Sequence, residues 1–217
     1  SCSKANIDNI RRILSSFFSW LEDENYILKS PVRRIHKIKT TKPVKEVYTD
    51  EALEIMRDNC DNLRDLAIID LLSSSGIRVG ELVKLNIADV DFESRECVVL
   101  GKGNKERTVY LDEVAGMILA EYLNGRIDDV PALFINKQHD RLNPGGVRAM
   151  LNKLAEKAGV DHVHPHKFRR TLATGLARHG MPIQEVAKVL GHEKLDTTMK
   201  YVVLNKDDVK ASYRRYT

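Results

Sequence analysis

Long apolar runs are missing from this chain. No stretch approaches the ~20 residues that cross a bilayer as a helix, and the first residues lack the basic-then-apolar pattern of a secretion leader. A cytoplasmic location with no membrane partner is therefore expected. Cysteine is scarce, present only at 2, 60 and 97. An odd number with no pair at metal-ligand spacing argues against a disulfide framework and a thiolate metal site, and leaves free thiols in a reducing compartment. Charge of one sign is not in excess: 35 basic against 31 acidic residues leave +4, too little by itself to point to a polyanionic partner. Internal repeats and low-complexity tracts are absent as well.

What the chain does have is length and an uneven charge distribution. With 217 residues and 42% apolar content it can bury one core and carry a small additional module. Between 29 and 45 stand seven cations (Lys29, Arg33, Arg34, Lys37, Lys39, Lys42 and Lys45), one histidine and no acid. With Pro31 and Pro43 inside it, this basic stripe reads as an extended linker able to track a phosphate backbone through counterion release, or simply as a solvated loop.

Ile7, Ile10, Leu14, Phe17, Phe18 and Leu21 recur at three- and four-residue spacing, which predicts an amphipathic helix over 4–24. One helix cannot bury its own sticky face, so it is expected to be part of a larger helical module. Thr49 followed by Asp50 and Glu51 marks a helix start, and a second helix over 63–74 ends near Gly76. Short β-prone runs at 96–100 and 107–111 flank a basic, glycine-rich tip at 101–105, and 132–135 is expected as a third strand. Helical patterns follow at 112–125, 144–158, 165–179, 182–190, 195–202 and 206–215, with Gly159, Gly180 and Gly191 at helix ends. The expected fold class is mixed, mainly α with a small antiparallel β-sheet.

Four segments place basic or hydrogen-bonding side chains beside glycines or on one helix face: Gly76-Ile77-Arg78-Val79-Gly80-Glu81, Gly101-Lys102-Gly103, His166-Lys167-Phe168-Arg169 and Leu190-Gly191-His192. Tyr201 follows nine residues after the last. His166 and Arg169, three apart in a helix, can converge on one anion, which suits a phosphate. Taken singly, each piece has an ordinary explanation: a helix break, a turn lysine, a helix-end histidine, a packing tyrosine with rivals in Tyr213 and Tyr216. His162, His164 and His179 gain no acid or cysteine that would complete a metal site. Five ordered pieces make separate ordinary explanations the costlier account.

Over 47–203 the ordered set resembles the tyrosine recombinase family, also called phage integrases. The resemblance implies that family's catalytic-domain fold and a site-specific recombinase that cleaves and rejoins DNA through a 3′-phosphotyrosine, without metal, ATP or other cofactor. By the same resemblance Arg78 and Arg169 clamp the scissile phosphate, and His166 and His192 bond its oxygens or move a proton. Lys102, with Lys105 as the fallback, protonates the leaving 5′-oxygen; Tyr201 is the nucleophile; Glu81 orients its neighbours. Arg33, Arg34, Lys37, Lys39, Lys42, Lys45, Lys105 and Arg107 are expected DNA contacts.

The expected layout is a truncated helical core-binding module over 1–40, a basic linker at 41–48, and a catalytic domain over 49–217. By the same resemblance its tail at 205–217 is expected to be exchanged between protomers in a tetramer on double-stranded DNA. A bacterial mobile element is the expected setting, with the enzyme nucleoid-associated. Two alternatives stay open: a type IB topoisomerase-like relaxing enzyme and a catalytically inactive DNA-binding regulator on the same fold.

Overall fold

The computed structural model describes residues 2–38, 46–101, 106–204 and 206–216. The chain forms two compact units, Ser1–Lys45 and Glu46–Thr217.

The first unit is built on α1 (Lys4–Asp23), opened by Ser3, whose hydroxyl accepts from the Asn6 amide at 3.3 Å. Ile7, Ile10, Leu14, Phe17 and Trp20 remain exposed on it, as expected of an amphipathic helix with little to cover its stripe. The expectation of an extended linker from residue 29 onward fails over 30–38. Carboxylates of α1 capture that segment: Glu22 accepts from the Ser30 amide (3.1 Å) and Asp8 from the Ile38 amide (3.2 Å), with a turn between. Lys39, Lys42 and Lys45 lie outside the described residues.

The second unit starts with irregular residues 46–49 that are pinned onto it, although 46–48 were expected in the linker. The Tyr48 amide donates to Thr171 Oγ1 (2.9 Å), and its phenol accepts from the His164 amide (3.1 Å). In chain order come α2 (Asp50–Asp58), α3 (Leu63–Ser75), a one-turn α4 (Val79–Leu82), a 3-10 turn at Ile87–Asp89, and the strands β1 (Val90–Asp91), β2 (Glu96–Leu100) and β3 (Glu106–Tyr110). Helices α5 (Glu113–Asn124), α6 (Pro144–Ala158), α7 (Pro165–Arg178), α8 (Ile183–Leu190), α9 (Leu195–Met199) and α10 (Lys206–Tyr216) follow.

Residues 67–72 of α3 are all buried, Asp70 among them, because the helix is apolar nearly all round and lies in the core between α5 and α7. The sheet is antiparallel in the order β1-β2-β3, with Cys97 facing Val109 and Val99 facing Arg107. Its third strand is Val90–Asp91, not 132–135. Residues 132–135 are buried and make only single bridges, Asn86 to Ala132 and Ile135 to Arg141. A short apolar run with cover on every side looks in sequence like a buried strand, but no neighbour here offers it a ladder. A smaller apolar cluster of Ala173, Val186 and Leu190, with Tyr201 and Val202 packed on it, joins α7 and α8 to the segment after α9.

Candidate active site

Asn62 opens α3 and Gly76 closes it at φ +57°, the left-handed conformation that glycine adopts without a Cβ penalty. A side chain on Gly76 would meet Leu172 Cδ2 at 2.9 Å, so the backbone there lies close against α7. Two residues on, Arg78 is the N-cap of α4 rather than a helical residue sharing a face with Glu81. Glu81 reaches back instead: Oε2 accepts from the Arg78 amide (3.0 Å), and Oε1 pairs with Arg78 Nη1 at 2.7 Å. Glu81 is buried, and burial alone would push its carboxyl up. The Arg78 amide and the cations Arg107 and Arg78 outweigh that and hold it below the usual range.

Arg169, on α7, is 1% exposed and the largest fully buried side chain among the described residues. Nη1 donates to the Gly76 carbonyl at 2.5 Å and Nη2 to the Leu190 carbonyl. Burial, followed by repulsion from Arg78 and Arg107, pulls its pKa down to about 10, which still leaves it charged at neutral pH. Arg78 Nη2 donates to the next carbonyl, that of Gly191, at 3.3 Å.

His192 lies just past the end of α8. Nε2 is 3.1 Å from Arg169 Nη2 and Nδ1 is 2.9 Å from the hydroxyl of buried Thr198. A guanidinium only donates, so Nε2 accepts and Nδ1 carries the hydrogen toward Thr198. Burial together with Arg169, Arg78 and Arg107 pushes the His192 pKa down to about 4, so the ring is neutral at pH 7. His166, on the first turn of α7, is likewise held below the ordinary histidine value, by desolvation and then by Arg169, Arg170, Arg78 and Arg148.

Tyr201 sits in the turn after α9, its amide bonded to the Thr198 carbonyl at 2.8 Å. Its hydroxyl is 3.4 Å from His166 Nδ1, a long contact, and its ring centroid lies 5.1 Å from that of His192 and 5.8 Å from Arg169 Cζ. Arg78, Glu81, Arg107, His166, Arg169 and His192 line one cleft of about 930 Å³, with Lys84 and Lys194 adding positive charge. The cleft can bind an anion through guanidinium donors that are already oriented, and can take a proton from the phenol on a neutral imidazole.

Lys102 and Lys105 lie outside the described residues. Arg107, expected as a DNA contact, turns inward: Nη2 donates to Glu81 Oε2 (2.8 Å) and Nη1 to the Val189 carbonyl (3.0 Å). Arg33, Arg34 and Lys37 are exposed on the first unit. Among the described residues no group of three or more His, Cys, Asp or Glu side chains is placed to hold a metal ion, and no helix is long and apolar enough to cross a membrane. Sequence reasoning missed Thr198 and Thr174. Thr174 is fully buried and brackets the Tyr201 segment, its hydroxyl donating to the Tyr201 carbonyl at 3.4 Å and accepting from the Val203 amide at 3.0 Å. A helical threonine carries no sequence mark of such a role.

Residues 44–208 match the Phage integrase family. The chain is 35% identical to the Tyrosine recombinase XerC of Oceanobacillus iheyensis over 227 residues, covering 98% of this chain and 74% of that protein. It is 32% identical to the Tyrosine recombinase XerC of Corynebacterium glutamicum, covering 92% and 68%. Among solved structures it is similar to XerA recombinase, with TM-score 0.73 and 25% identity over 94% of this chain and 73% of that one. XerH site-specific recombinase bound to its palindromic difH substrate shares the fold, at TM-score 0.79 and 22% identity over 97% and 67%. Matched from 44 to 208, with its arginines and histidines gathered at one cleft and Tyr201 beside His166 at its edge, the chain belongs to the phage integrase family of tyrosine recombinases.

Proposed function

We propose that this chain is a site-specific DNA recombinase that cuts and rejoins strands by attack of Tyr201 on a backbone phosphate. One observation carries the proposal: Arg78, Arg169, His166 and His192 converge on one cleft while the Tyr201 hydroxyl stands 3.4 Å from His166 Nδ1. His166, neutral at physiological pH, accepts the phenolic proton. The phenolate oxygen bonds to phosphorus, and the bond from phosphorus to the 5′-oxygen breaks with its electron pair on that oxygen. Lys102 supplies the proton the leaving oxygen needs. Arg78 and Arg169 retain N–H donors beyond those used on carbonyls and Glu81, and these stabilise the charge on the non-bridging oxygens. The phosphotyrosine keeps the bond energy for religation, so neither ATP nor metal enters the scheme.

Arg33, Arg34, Lys37, Lys39, Lys42, Lys45 and Lys105 contact the phosphates of the duplex, with the first unit acting as a core-binding module. XerH recombinase, which shares the fold, is bound to its palindromic difH substrate. In this scheme α10 docks on a neighbouring protomer of a tetramer through Val209 and Tyr213, both more than half exposed. Within one chain α10 is tied to α7 by Arg178 and Asp208 at 3.0 Å. The enzyme works in the cytoplasm, at the nucleoid, on a bacterial mobile element.

The test uses a duplex enriched from a randomised pool by binding to the full chain, then nicked so that a released fragment prevents religation. A covalent protein–DNA adduct that resists denaturation, and that Tyr201→Phe abolishes, is the expected result. Adduct formation by Tyr201→Phe at the wild-type rate would refute the assignment.

A further inference from the structure

Resting on that reading and going beyond it, we infer that Arg107 is a positioning residue for the phosphate-binding arginines, holding Glu81 and the 189–191 turn in place together, rather than a DNA contact. Arg107 is the second residue of β3, and its side chain passes from the sheet to the end of α8. Both ends of its guanidinium are engaged, on Glu81 Oε2 and on the Val189 carbonyl, and the side chain is 13% exposed. It crosses over Gly191: a Cβ there would lie 2.6 Å from Arg107 Nε and closer still to Cδ. Gly191, at φ +62°, is therefore glycine for two reasons, and the second is Arg107 itself.

The consequence concerns charge on Arg78. Glu81 is a buried carboxylate shared between two cations: Arg78 takes Oε1, while Arg107 and the Arg78 amide share Oε2. Without Arg107 the whole carboxylate charge falls to Arg78, and a bidentate pair becomes available to them. A guanidinium so neutralised is a poorer phosphate ligand at the moment charge develops. Arg107 also fixes the carbonyl next to the two that position Arg169 and Arg78, so its loss frees both at once.

The experiment measures adduct formation on the nicked, pool-enriched duplex under single turnover, with DNA affinity at several salt concentrations and thermal unfolding alongside. Arg107→Lys keeps the charge but cannot span Glu81 and Val189 with a fork; Arg107→Ala removes both. At saturating DNA both variants are expected to form adduct at least tenfold more slowly, with DNA affinity within about twofold of wild type and an unchanged salt slope. Glu81→Gln added to Arg107→Ala is expected to cost no further rate and to recover part of it, because it removes the charge that otherwise falls on Arg78 alone. Weaker binding with a log–log salt slope reduced by about one and an unchanged saturating rate would make Arg107 a phosphate contact and overturn the inference. Wild-type rates in both variants overturn it as well. Should Arg107→Ala fail to unfold cooperatively, Arg107→Lys decides on the same rates, and loss of folding in both makes Arg107 a stability residue and overturns the proposal. A wild-type chain that forms no adduct is a separate result, and it removes the recombinase reading together with this one.

Discussion

Arg169 and Arg78 donate to neighbouring carbonyls of one turn, Leu190 and Gly191, while Arg107 takes Val189 just before them. Three like charges this close would repel each other. The end of α8 offers them the partial negative charge of unsatisfied helix carbonyls, and Glu81 adds a full one. The cluster is thus assembled before any phosphate arrives, and the reorganisation that an anion would otherwise have to drive is small.

Gly191→Ala is expected to lower catalysis more than stability. A left-handed alanine costs on the order of 1–2 kcal/mol, and relieving the collision with Arg107 displaces the side chain that shares Glu81. The adduct rate is expected to fall at least tenfold, against a modest drop in melting temperature. An adduct rate equal to wild type would show that the close approach has no catalytic consequence.

Thr198→Val removes the acceptor for His192 Nδ1 without changing side-chain volume. A donor left unpaired in this buried setting costs about 1–3 kcal/mol, so the ring is expected to turn or change tautomer. Nitrogen chemical shifts of His192 would report the loss of the Nδ1–H form, accompanied by slower adduct formation. Thr198→Ser, which restores the hydroxyl, is expected to recover both.

Stability should fall as the medium is acidified through the window between the ordinary histidine value of 6.5 and about 4, where His192 titrates when folded. In that window the unfolded chain binds the proton and the folded one resists it, so acid favours unfolding. His192→Gln is expected to flatten this slope in urea titrations at pH 7.5, 5.5 and 4.5. For His166, whose pKa is also lowered, the acid limb of the single-turnover adduct rate should lie below pH 6.5.

Asp70 is a buried acid on α3 whose Oδ2 has no hydrogen-bond partner among the described residues, while Oδ1 meets Arg57 Nε at 3.3 Å. Burial, with Asp112 and Glu54 adding to it against Arg57, pushes its pKa up to about 6 from 3.8. Its folded pKa is raised, so its contribution is most favourable below 3.8 and is lost as pH rises through about 6. Asp70→Asn should therefore melt a few degrees higher at pH 7.5, worth about 1 kcal/mol, with the gain vanishing near pH 4. An unchanged or lower melting temperature at pH 7.5 would mean that the Arg57 pair outweighs the burial.

Sequence alone determined the helices, because a period of three to four residues with caps such as Thr49 and closing glycines at 159 and 191 is a local property of the chain. It also determined which side chains to watch: Arg78, His166, Arg169, His192 and Tyr201 were legible from their order and neighbours, and all five meet at or beside one cleft. Only the tertiary structure decided how they are held. The one-turn α4 is too short to show a period, 132–135 resembled a strand for want of knowing its neighbours, and Thr174 and Thr198 look like any helical threonine. The inward turn of Arg107 could not be read at all, since a guanidinium on a strand is drawn toward a phosphate or toward a carboxylate according to what the rest of the fold puts in reach. The reason is range: periodicity and caps act over four residues, whereas Arg107 finds its partners 26 and 82 residues away.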